Sequence, residues 1–196
     1  MAIFYSSFIF IFDSFKLWFS NIFVTPFSNF EALWILVPIY LGLVITEIFQ
    51  EKKGTSMGNA ISNSIIILWG GVDFLRTTIN RITFGPDPRF FGKLAIATMI
   101  VLYGLVILVL GIKAKEIIKY IGRVRWACYF IIIFTPLYYT QIPLSLKYIF
   151  GAVIFAPLFY LSLYLLDKFT PDPQAFVEDI REATGAKQPA RYGNFR

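Results

Sequence analysis

The sequence contains no histidine and only one cysteine, Cys128. Without imidazole the chain lacks the commonest general base, the commonest metal ligand and the usual pH switch. Haem ligation by histidine, histidine-based zinc or copper sites and Ser-His-Asp chemistry are excluded. A single thiol permits no disulfide within the chain, no cysteine-pair metal site and no redox dithiol. Charge is scarce as well: charged residues make up 15% of the 196 positions, against about a quarter in a soluble domain. The one glycine-rich helix start, Gly54-Thr55-Ser56-Met57-Gly58, is followed by Asn59-Ala60 where a phosphate-binding Walker loop needs Lys and Ser or Thr. It reads as a turn and helix cap. No catalytic residue, cofactor or metal site is expected, and the chain is not expected to be an enzyme.

What the sequence does have is apolar side chain, 57% of its residues. Three stretches, 94–112, 126–146 and 148–166, carry no charge at all. About 20 residues at ~1.5 Å rise cover the ~30 Å hydrocarbon core of a bilayer, so each is long enough to cross one. The expected fold class is all-α, a polytopic integral membrane helix bundle. About five transmembrane helices are expected, near residues 30–49, 58–75, 93–112, 126–141 and 146–166. Pro38, Pro136 and Pro157 should kink three of them. Residues 1–166 form the membrane domain, and 167–196 a polar tail with a short helix capped by Asp172 and ended by Gly185.

Residues 1–25 read differently. Ser6-Ser7, Asp13-Ser14 and Ser20-Asn21 recur every seven residues, which is two helical turns, so they share one face. Spanning would put Asp13 near mid-bilayer at about 2.5–3.5 kcal/mol, so a helix lying in the interface is expected, with Asp13 pairing to Lys16. The stretch does not read as a cleavable leader, because it lacks a basic start and Asp13 and Lys16 interrupt its apolar run.

The net charge of +6 would suggest nucleic acid in a soluble protein. Here the basic residues flank apolar runs, and anionic lipid headgroups are the simpler partner; nucleic acid is not expected. Lys115, Lys119 and Arg123 fall four apart and would form one basic stripe facing the headgroups if the 113–125 connector were helical. Lys and Arg favour the side of this connector and of the tail by about two to one, which assigns both to the cytoplasm.

Two polar groups stand out. If the first two spans form a hairpin, Glu47 and Asn59 sit at similar depth and share a hydrogen bond, with Asn63 one turn deeper. This cluster is either a polar pathway or glue between helices, worth about 0.6–2 kcal/mol per contact, and the glue reading is preferred. Asp73 and Arg76, three apart, read as a local ion pair. The four-residue spacings Gly58/Ser62 and Ala152/Ala156 predict close helix contacts. The abundant aromatics, 22 Phe, 11 Tyr and 4 Trp, fit a membrane interface. The expected role is a non-catalytic membrane subunit or scaffold that packs with other membrane proteins. The alternative is a small transporter or channel with a pathway along the second span.

Overall fold

The computed structural model describes residues 2–51, 54–80, 89–140 and 142–170, and every regular element among them is a helix. The turn at 84–88, Lys52-Lys53 and the expected tail helix near 172–185 lie outside the described residues. Three helices are long and apolar enough to cross a membrane: α3 (Phe30–Phe49), α5 (Phe90–Ile112), and the pair α8 (Leu146–Ile154) and α9 (Ala156–Phe169) taken together.

Local chemistry sets the element ends. Short α2 (Thr25–Ser28) carries Pro26 in its first turn, where no N–H is needed for the helical ladder. Asn29 then caps α3, its side-chain oxygen accepting from the N–H groups of Glu31 (2.9 Å) and Ala32 (3.2 Å). Gly54, at φ 111°, supplies the left-handed turn before α4 (Met57–Asn80), and Ser56 Oγ accepts from the N–H of Asn59 at 3.1 Å. Ser145 caps α8 in the same way, through Tyr148 N–H at 3.2 Å. The α8–α9 run breaks at Phe155, because Pro157 has no N–H with which to continue the helical ladder.

Two further helices, each an expected span, differ from expectation. α4 runs 24 residues, past the expected end of the second span to Asn80, and its polar first half keeps it out of the clearly apolar class. α7 (Val124–Tyr139) is only 16 residues, yet 13 of them are buried. A helix apolar on every side belongs inside a bundle, and α7 is the central post. On one side Ile131 and Tyr138 join Ile67, Phe74, Ala97, Ile100 and Ile107 of α4 and α5. On the other side Ile132 joins Trp18, Ile22, Leu36, Leu43 and Phe159 of α1 (Ala2–Phe23), α3 and α9.

α4 and α5 make the closest pairing, and glycine permits it. A Cβ on Gly71 would lie 2.7 Å from Val101 Cγ2, and one on Gly104 would lie 2.8 Å from Leu68 Cγ. Gly58, expected to mediate such a contact, meets no other helix: a Cβ there would touch Ser56 Oγ of its own segment at 3.9 Å, and Ser62 is exposed. That spacing marks the outer face of α4; the contact glycines sit on the opposite face.

α1 packs against the rest of the bundle. It crosses α8 where a Cβ on Gly151 would meet Ser14 O at 2.8 Å, and Asp13 pairs across helices with Lys147 at 2.6 Å. The pairing expected with Lys16 is thus replaced by a tertiary one. Its other face, with Phe4, Phe8 and Phe12, is exposed.

Tyrosines, buried or half-buried, lock this arrangement. The hydroxyl of Tyr40 donates to Ile22 O (2.6 Å), that of Tyr129 to Ala152 O (2.5 Å), and that of Tyr138 to Lys93 O (2.7 Å). Tyr148 donates to Ile133 O, and Trp18 Nε1 to the Tyr129 hydroxyl at 3.1 Å. Each bond joins two helices while leaving the ring in the core.

Candidate functional site

Five helix ends and a short connector converge at one end of the bundle, and charge collects there. α3 brings Glu47, and Glu51 follows one turn further on, just past the helix end; both residues are fully buried. α4 brings Asn63, α7 brings Arg125, and α9 brings Tyr160 and Asp167. Between α5 and α7 the chain makes one helical turn, α6 (Ile118–Ile121), and bends at Gly122.

Glu51 is the most heavily used acceptor. Its carboxylate receives the Thr55 hydroxyl (2.9 Å), Asn63 Nδ2 (2.7 Å) and the backbone N–H of Val124 (3.1 Å). The last contact explains why α7 begins at Val124. Its own preceding residue, Arg123, offers no capping oxygen, so a carboxylate from 73 positions earlier satisfies an orphan N–H and complements the positive helix end. Asn63 Nδ2 also donates to Gly122 O at 2.8 Å, binding the bend to α4.

Arg125 is the hub of the second half. One of its terminal nitrogens donates to Glu47 Oε1, and the same nitrogen lies 3.9 Å from Asp167 Oδ2. Its guanidinium stacks on the Tyr160 ring, 4.5 Å from the centroid, and Arg123 donates to the Tyr160 hydroxyl at 3.3 Å. Two carboxylates, Glu47 and Asp167, thus face one guanidinium. Four buried atoms of this junction have no hydrogen-bond partner among the described residues: Glu47 Oε2, Arg123 Nε, Arg125 Nε and Asp167 Oδ1. Cys128 lies one turn along α7, buried, its sulfur 3.9 Å from Ile39 O.

The expected group of Glu47, Asn59 and Asn63 is divided. Glu47 and Asn63 are buried at the junction, but each answers to a different partner. Asn59 is half-buried, with Nδ2 3.5 Å from Gln50 O rather than bonded to Glu47. Arg125, Glu51, Asp167 and Tyr160 complete the junction without any local spacing that marks them. A signal for two of its charges exists: Glu47 and Arg125 are the first charges beyond two uncharged runs, and a hairpin count puts both on one side.

At the opposite end Asp73 and Arg76 pair at 2.6 Å, as their spacing predicts. The second Asp73 oxygen accepts from the Tyr139 hydroxyl, so the pair also ties α4 to α7. The basic connector does not form a helical stripe. Lys115 lies outside any helix, directly after Ala114 at φ 51°, Lys119 is in α6, and Arg123 is the extended residue before α7, directed at Tyr160. Among the described residues no group of three or more His, Cys, Asp or Glu could hold a metal ion.

No protein-family model, curated protein or solved structure matches this chain.

Proposed function

We propose that the chain is a multi-pass integral membrane protein, with the junction end and the tail in the cytoplasm, and that it acts as a non-catalytic subunit packing with other membrane proteins. The observation that carries this reading is the use made of buried and half-buried charge. Glu51 joins α3, α4 and α7, Glu47 joins α3 to α7, and Asp73 joins α4 to α7. Polar groups that a pathway would need serve instead as joints between helices. Large apolar side chains such as Phe8, Trp34, Trp69 and Leu102 stay exposed, a surface that lipid or other membrane subunits would cover.

A small transporter or channel is the second reading, favoured by one observation: the four unpartnered atoms around Arg125. They are where water or a polar solute would be accepted. Flux assays separate the two. Liposomes holding the purified full chain should pass protons, alkali cations and small anions no faster than empty liposomes. Flux that Glu47→Gln or Asn63→Leu abolishes would establish the transporter instead. The subunit role predicts a defined partner at fixed stoichiometry in mild detergent, lost when residues 170–196 are deleted; a lone monomer would contradict it.

A further inference from the structure

We propose that residues 112–122 form a fixed seat for the headgroup of an anionic phospholipid, a step that rests on the membrane reading above. The connector is not a loose loop. Ile118 is fully buried, the Tyr103 hydroxyl donates to Ile121 O at 2.5 Å, and a Cβ on Gly122 would press on Ala60 Cβ at 2.9 Å. Those three points fasten it to α4 and α5.

What the fastening holds outward is mixed in a particular way. Ile112 (75% exposed), Ile117 (54%) and Tyr120 (74%) are interspersed along the chain with Lys113, Lys115 and Lys119. A surface with bare apolar side chains and cations so closely interleaved suits neither water alone nor hydrocarbon alone. It suits the boundary between them, where the isoleucines and the ring enter the acyl region and the ammonium groups meet phosphate. Glu116 is the one acid here, 3.6 Å from Lys119, which leaves the charge of Lys113 and Lys115 uncompensated within the connector. Charge complementarity selects an anionic lipid over a zwitterionic one, at about fivefold per lysine near the surface. Arg123, turned to Tyr160 beside Trp126, is built into the protein and is no part of this seat.

The test uses the full chain in nanodiscs of equal phosphatidylglycerol and phosphatidylcholine, followed by native mass spectrometry of the lipids retained after mild delipidation. Retention should favour phosphatidylglycerol. Lys113→Gln or Lys115→Gln should each lower the preference about fivefold. Lys147→Gln, in the first turn of α8, should leave it unchanged. Equal retention of both lipids by the wild type, or an unaltered preference in the Lys113→Gln/Lys115→Gln variant, overturns the seat. The membrane reading would survive either result; it fails separately if the chain stays monodisperse in water without detergent. A lysine variant that lost helix content would be replaced by Ile112→Ser/Ile117→Ser, which should lower total lipid retention and keep the headgroup preference.

Discussion

Glu47 and Arg125 carry opposite charges in a place with almost no water, and that sets how the pair responds to change. Removing one partner leaves a buried charge unmatched, at about 3–5 kcal/mol; replacing both with apolar residues of similar volume is close to neutral. Glu47→Leu and Arg125→Met should therefore each destabilise the protein strongly in detergent unfolding, and the double variant should recover most of the loss. Cys128 gives a native probe of the same event. Its maleimide labelling in the folded protein should be slow and should accelerate in either single variant. Equal labelling in all forms would mean that the pair does not hold α3 against α7. Glu51→Leu strands three donors, Thr55, Asn63 and Val124 N–H, and should cost about 3 kcal/mol or more, whereas Asn59→Leu, at a half-buried amide held only by a long bond to Gln50 O, should cost about 1 kcal/mol or less. Both are read as shifts in the same unfolding transition. Residue types point to Glu47 and Asn63 but cannot pair them correctly. Local spacing reads neighbours three and four apart, and the partners here lie 78 and 59 positions away. The tyrosines mislead for a related reason. Aromatic abundance suggests an interface, yet Tyr138 and Tyr148 are among the largest fully buried side chains, their hydroxyls bonded to carbonyls of other helices.

Between elements, the α4–α5 pairing depends on the absence of side chain at Gly71 and Gly104. Gly104→Val would push Leu68 and Gly71→Ala would press on the Val101 backbone nitrogen at 3.0 Å. Each should destabilise by about 1–3 kcal/mol. A methyl group on Gly42 would meet nothing within 4 Å, so Gly42→Ala should gain up to about 1 kcal/mol from helix propensity alone. Thermal unfolding of the three variants in one detergent checks the contrast; equal loss at all three would show that crowding between α4 and α5 is not what matters. The helices themselves are legible where apolar composition is uninterrupted: α3, α5 and the α8–α9 run follow from uncharged stretches and flanking charges. The 113–125 connector is not. Its lysine and arginine spacing fits a helix, but Ala114 turns left-handed and Gly122 is pressed against α4, so tertiary contact overrides the local period. α1 likewise reads as a surface helix from its polar stripe. That stripe is the face it uses to meet α8, with Ser14 buried and Asp13 reaching Lys147.

At the scale of the molecule, the proposed membrane setting has one consequence above the others: the outer surface must touch acyl chains. The tryptophans report on it. Trp34 and Trp69 are 75% and 77% exposed on α3 and α4, whereas Trp18 is 4% exposed in the core. Reconstitution of the full chain into vesicles whose lipids carry bromine on the acyl chains is the most direct measurement. Strong quenching of tryptophan fluorescence is predicted, most of it lost in Trp34→Phe/Trp69→Phe, with aqueous iodide having little effect on either residue. Fluorescence that ignores the brominated chains and is quenched by iodide would place this surface in water and contradict the membrane setting on which the proposed role rests.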